Sequence, residues 1–131
     1  MDINQISISP LKKAADSLTL ALQQKKDDFM RDAVIQRFEY TYELSWKLLK
    51  RYLEALSNQR EYNVRDIFRE AGKQGLIDSM ENWLIYHRAK NLTSHTYDEI
   101  IAEETYVAAK AFSEDVLKLI SVLERKLSGT N

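Results

Sequence analysis

The sequence predicts an all-α protein, an up-and-down four-helix bundle with an additional short helix. Apolar residues recur at helical spacing through most of the chain, and short polar connections separate the periodic stretches. Three Gly and one Pro among 131 residues are too few for a sheet-rich fold full of tight turns. One domain accounts for residues 1–131, enough chain to bury about two thirds of the surface that it exposes when unfolded.

The first helix is expected to start at Ser9-Pro10, an N-cap followed by Pro at the first helical position. Leu11, Ala14, Leu18, Ala21 and Leu22 form its apolar stripe, and Lys25 to Asp28 form a charged linker. A second, long helix is expected from about Arg31 to Ser57. Its stripe is Val34, Ile35, Phe38, Tyr42, Trp46, Leu49, Leu53 and Leu56, broadened by Leu44, Leu48 and Tyr52. After the polar stretch Asn58 to Asn63, Asn63 or Asp66 caps a short third helix with Ile67, Phe68 and Ala71 inward, ended by Gly72 and Gly75. A fourth helix runs from about Asp78 to the polar stretch that starts at Lys90, with Met80, Trp83, Leu84 and, at its end, Leu92 on its apolar side. The fifth follows Asp98, a plausible N-cap, and continues to about Leu127. Its buried side draws on Ile101, Thr105, Ala108, Phe112, Val116, Leu119 and Leu123, and Ile100 and Val107 are left over for a wider core or a dimer face.

Composition narrows the function. No Cys is present, which rules out disulfides, thiolate zinc sites and cysteine nucleophiles and fits a reducing cytoplasm. No apolar run approaches the ~18 residues of a membrane span, and Met1 to Gln5 lack the basic and apolar regions of a signal peptide. With 19 basic and 20 acidic residues, the net charge of −1 exerts no long-range pull on nucleic acid, so any such contact is local.

The stretch Lys90-Asn91-Leu92-Thr93-Ser94-His95-Thr96-Tyr97-Asp98 departs from the helical pattern. It gathers an amide, three hydroxyls, an imidazole and a phenol, residue types that compete with the helix for backbone hydrogen bonds. A helix that only packs has no use for them together. His95 and Tyr97 fall at a helix junction, where side chains converge and backbone groups are free. The imidazole can act as general acid or base, a neighbouring Lys or Arg can steady a phosphate, and Asn91 can orient either ring. The same residues can also simply tie the helix corner together.

Phe38-Glu39-Tyr40-Thr41-Tyr42-Glu43-Leu44-Ser45-Trp46-Lys47-Leu48-Leu49-Lys50 resembles the second-helix signature of the nucleotidyltransferase substrate-binding proteins, small all-helical members of the HEPN superfamily. Asp66 to Ala71, Gly75 to Asp78, and Trp83 followed by Lys90 to Glu99 resemble the same family, in order, over nearly the whole chain. The resemblance implies a helical bundle, commonly a homodimer, partnered by a separately encoded minimal nucleotidyltransferase. In better-understood relatives the two act as toxin and antitoxin. The helical protein is there a metal-independent RNase with an Arg-x4-His motif, silenced by AMP transfer to the Tyr of the adjoining His-x-Tyr. By this likeness His95 is the catalytic histidine, Tyr97 the modified tyrosine, and Asn91 the polar residue after the arginine, with Thr93 and Ser94 among the polar surroundings that Tyr97 presents. The motif arginine falls at position 90, where this chain has Lys90, which keeps the charge but loses the bidentate fork. Arg88 lies seven residues before His95, on the same face of an unbroken helix, and is the other candidate for that role.

Two functions from different classes follow. One is a substrate-binding, regulated subunit that presents Tyr97 to the nucleotidyltransferase; the other is an RNase using His95 with Lys90 or Arg88 and taking RNA as its partner. Neither needs a metal or cofactor from this chain. His87 and His95 without a fixed carboxylate make a poor metal site, and the Gly-Ser turn of the transferring enzyme is missing. Asp27-Asp28 and Glu103-Glu104 diverge on a helix and read as solvated faces, as do Lys47, Lys50, Arg51, Arg65 and Arg69, whose other reading is the wall of a pocket for a negatively charged substrate. Trp46 and Trp83 read as core, and Tyr40 and Tyr86 as lining a groove or a dimer surface.

Overall fold

The computed structural model describes residues 3–57 and 62–129. Five α-helices follow one another: α1 (Ser9–Leu22), α2 (Asp28–Leu56), α3 (Val64–Lys73), α4 (Met80–Asn91) and α5 (Glu99–Leu127), with 3-10 turns at Ile3–Gln5 and Thr93–His95. No strand occurs among the described residues. Helices α1, α2, α4 and α5 pack around one core, α2 touching all the other helices, and α3 bridges α2 and α4 at one end. This is the up-and-down bundle with an extra short helix that the apolar periodicity predicts.

Local chemistry sets most of the boundaries. Asp27 accepts a hydrogen bond from the Met30 amide, and α2 therefore begins at Asp28, earlier than the apolar stripe suggests. Asn63 caps α3 through the Asp66 amide, Ser79 caps α4 through the Asn82 amide, and Asp98 caps α5 through the Ile100 and Ile101 amides. Ser9 is not a cap: it is the first helical residue of α1, and the Ser7 hydroxyl accepts from its amide. Gly75, at φ +73°, supplies the left-handed residue that lets the Leu76 amide return to the Ala71 carbonyl and close α3. Of the polar stretch after α2, residues 58–61 lie outside the described residues.

Phe112 centres the core. Its ring meets those of Phe38, Tyr42, Trp83 and Tyr86 edge-on at centroid distances of 5.3, 6.0, 5.5 and 5.3 Å. Several expectations need correction here. Tyr86 is buried, its hydroxyl donating to Asp115, because the ring reaches into the aromatic cluster while its oxygen finds a carboxylate at the edge. Trp46 is only half-buried, its indole N–H donating to Glu43, and Leu56 is exposed at the end of α2. On α5 the inward positions include Ala102 and Ala109, with Ile101 and Ala108 half-buried. Ile100 and Val107 stay exposed, so they do not widen the core.

Glu103 keeps a solvent-facing side but is also an ion-pair partner. It and Glu99 converge on Arg31, which is buried on α2: the guanidinium makes a two-pronged contact with Glu99 at 2.6 and 3.2 Å and reaches Glu103 at 2.9 Å. Lys26 adds a 2.6 Å ion pair to Glu103. This cluster fastens the first turn of α5 to the first turn of α2 and so fixes the segment between α4 and α5. No helix among the described residues is long and apolar enough to cross a membrane.

Candidate functional site

Helix α4 ends at Asn91 because the chain then carries the hydroxyls that bond locally. The Thr93 hydroxyl donates to the Lys90 carbonyl at 2.7 Å, and the Thr96 hydroxyl donates to the Thr93 carbonyl at 3.0 Å. Between these bonds the backbone tightens into the 3-10 turn, with the His95 amide on the Leu92 carbonyl and the Asp98 amide on the His95 carbonyl. Asp98 then restarts the helix. The break has a direct consequence: Arg88 and His95 do not share a helix face. Arg88 is exposed on α4 and makes no ion pair among the described residues, whereas His95 projects from the turn.

His95 and Tyr97 are both exposed. Tyr97 is 81% exposed, and the His95 ring stands perpendicular to it with centroids 6.1 Å apart. The turn is held against α2 by the Thr93 hydroxyl, whose single proton is shared between the Lys90 carbonyl and the Glu39 carboxylate. Ser94 is exposed beside them, with no side-chain hydrogen bond among the described residues. The loop thus holds a phenol and an imidazole out in solvent on a backbone stapled at both ends.

The other predicted residues form a second cluster, along α4 where it faces α2. Asn91 does not meet His95 or Tyr97; its amide lies 3.4 Å from His87 Nε2. His87 Nδ1 is 2.8 Å from the Tyr42 hydroxyl. Burial lowers the His87 pKa, the nearby Lys90 charge lowers it further, and Glu43 opposes both without prevailing. Burial also pushes the Tyr42 phenol up, and the Glu43 charge adds to it, so Tyr42 keeps its proton. His87 is therefore a neutral, half-buried ring between two uncharged partners.

Lys90 is not free either. Its ammonium sits 2.6 Å from Glu43, and both side chains are largely shielded from solvent. Burial alone would raise the Glu43 pKa; the hydrogen bond and charge of Lys90, with help from Trp46 and Lys47, reverse this and leave it below the ordinary value. The cation expected to steady a phosphate is thus already paired. Glu39 and Glu43 are the candidate-site residues that charge and periodicity do not reveal. Their four-residue spacing on α2 is visible in the sequence, but their partners on and after α4 are not.

Beside the loop, an open groove of about 650 Å³ runs between α2 and the turn. Phe29, Asp32, Gln36 and Glu39 line it from α2, and Thr93, Thr96 and Tyr97 line it from the loop.

Residues 6–125 match the family model described as nucleotidyltransferase substrate binding protein like. The chain belongs to this family. Among its relatives is a protein of Haemophilus influenzae named "Probable ribonuclease HepT", 36% identical over 103 residues that cover 76% of this chain and 70% of the relative. Two solved structures share the fold. One, also from Haemophilus influenzae, is described as having the fold of a substrate binding domain of a nucleotidyltransferase. It superposes with a TM-score of 0.82 at 32% identity, covering 90% of this chain and 99% of its own. The other, from Thermus thermophilus, gives 0.79 at 30% identity, with 88% and 99% covered. Fold and family thus agree with the resemblance carried by the second-helix signature and the loop.

Proposed function

We propose that this protein is the acceptor and regulated subunit of a separately encoded small nucleotidyltransferase, and that it presents the Tyr97 hydroxyl for AMP transfer. The observation that carries the reading is the contrast between two parts of one site. Tyr97 is 81% exposed on a fixed loop beside His95, while Lys90 is tied to Glu43 and lacks a free charge for RNA phosphate. In the reaction the Tyr97 oxygen attacks the α-phosphorus of ATP. The new O–P bond forms as the bond to pyrophosphate breaks, and the phenolic proton is released to a base, for which the His95 imidazole stands beside the ring. The partner supplies the nucleotide and its metal. Family membership supports the nucleotidyltransferase as partner, and the pair fits a toxin–antitoxin arrangement in which modification switches the helical protein. A cysteine-free chain suits the cytoplasm, where ATP is available.

We further propose that two copies associate through the exposed side of α5. Ile100 and Val107, 70% and 66% exposed, lie seven residues apart on one face of that helix. A shared face of this kind would also bring two loops into one assembly.

The relative named as a probable ribonuclease favours a second reading, metal-independent RNA cleavage by His95 with Arg88 or Lys90 as the cation and Asn91 in support. Labelled ATP separates the two. Incubated with the nucleotidyltransferase encoded beside it, the protein should retain label from the α-phosphate and none from the γ-phosphate, and Tyr97→Phe should retain neither. Absence of α-label in the wild type, together with RNA cleavage that His95→Ala abolishes, would give the site to the nuclease instead.

A further inference from the structure

The groove beside Tyr97 carries charge of one sign. Asp32 and Glu39 line it, and no Lys or Arg does. Neither carboxylate is neutralised from within. The cation next to Asp32 is Arg31, whose Nε lies 4.0 Å away and whose guanidinium is already occupied by Glu99 and Glu103. Among the described residues, Glu39 is met by the Thr93 hydroxyl and by no cation. Two aromatic rings stand at the same concavity: Tyr97, and Phe29, which is 84% exposed in the first turn of α2. Single exposed apolar side chains are ordinary, but two rings flanking one acidic groove make a surface that repels phosphate and attracts a cation with an apolar neighbour.

We propose that this groove seats a basic segment of the nucleotidyltransferase: a Lys- or Arg-bearing stretch whose charge meets Asp32 and Glu39 and whose apolar side chain lies against Phe29. The proposal rests on the reading of Tyr97 as acceptor and deepens it by naming the surface that brings the enzyme there. Because the whole chain has a net charge of only −1, attraction has to be local, and the groove supplies it next to the hydroxyl to be modified. Thr93 belongs to both the groove wall and the loop, so docking on α2 also sets the position of Tyr97. A triphosphate alone would be repelled by the two carboxylates, which makes a protein segment the better occupant.

The test is the dissociation constant of the purified nucleotidyltransferase for the wild-type protein, Asp32→Lys and Phe29→Ala, at low and high salt, with AMP transfer to Tyr97 followed in parallel. Asp32 and Phe29 are exposed, so both variants keep their thermal melts. Glu81→Lys reverses a charge in the same way at the opposite end of α4, about 15 Å along the helix from Asn91. Asp32→Lys should weaken binding tenfold or more at low salt and less at high salt; Phe29→Ala should weaken it at both; Glu81→Lys should bind as wild type. Transfer at saturating enzyme should reach completion in every variant. Wild-type affinity in both groove variants, with transfer intact, would overturn the docking proposal and leave the acceptor reading standing. A change in the oligomeric state of the groove variants instead of their enzyme affinity would give the groove to a second copy of this chain and also overturn it. Failure of the wild type itself to bind the enzyme or receive AMP would remove both readings.

Discussion

At the scale of single residues, the site separates into an exposed pair that can react and a paired set that cannot do so readily. His95 and Tyr97 project from the turn, whereas His87, Tyr42, Asn91, Lys90 and Glu43 satisfy one another. The paired set leaves a signature in stability. Burial first, and then Lys90, lower the His87 pKa from its ordinary 6.5. Between its folded and unfolded values the unfolded chain binds more protons, so stability is full above about pH 6.5 and is lost as pH falls toward the folded value. Glu43, Glu99 and Glu103, all lowered from 4.5 by their cations, add a second loss that begins below that pH. Denaturant melts from pH 7.5 to 3.5 should show both losses, and His87→Gln should remove the upper one alone. Little of this is legible in the sequence. His95 and Tyr97 stand out because polar residues interrupt a helix, and the structure places them together. Asn91 reads as orienting them and instead meets His87, because the partner sits one turn back on α4. The partner of Lys90 comes from α2, a long-range contact that spacing cannot reveal.

At the scale of elements, the turn between α4 and α5 owes its position to its two ends. The Thr93 contact to Glu39 fixes one, and the Arg31 cluster with Glu99 and Glu103 fixes the other. The cluster is asymmetric: Arg31 is buried and both acids reach solvent. Removing the acids strands a buried charge, whereas removing the arginine leaves two carboxylates that water can solvate. The Glu99→Ala/Glu103→Ala double variant should therefore lower the melting temperature more than Arg31→Met does, and equal losses would show that the cluster adds no such asymmetry. Element type is legible throughout, because the apolar stripes of α2 and α5 are long and regular. Boundaries are less so. Helix α2 starts at Asp28 because Asp27 caps it, a signal present in the sequence but lost inside a charged run. The end of α4 at Asn91 follows from hydroxyls bonding back to the chain, and this removes the face that an unbroken helix would give Arg88 and His95 in common.

At the scale of the whole molecule, one aromatic cluster joins α2, α4 and α5 and so underlies the geometry of the loop. Phe112→Ala empties the space at its centre and should cost about 3–5 kcal/mol, measured by denaturant unfolding. A cost of about 1 kcal/mol would mean that the surrounding rings collapse into the gap. The exposed apolar face of α5 predicts self-association: sedimentation should find a dimer for the wild type and a monomer for Ile100→Asp/Val107→Asp, with the melt of the folded chain little changed. The bundle itself is legible from periodicity and the scarcity of Gly and Pro. The groove is not, because Phe29 lies outside any apolar stripe, and Asp32 and Glu39 look like ordinary surface charges until the loop is laid across them. The exposed phenol of Tyr97 is where loop and groove meet, and where the proposed partner acts. The most direct test is tandem mass spectrometry of the tryptic peptide spanning residues 91–110 after incubation with the nucleotidyltransferase and ATP. That peptide contains both Tyr97 and the half-buried Tyr106. The account predicts an adenylyl group on Tyr97 and an unmodified Tyr106. An unmodified peptide, or an adduct confined to Tyr106, would contradict it.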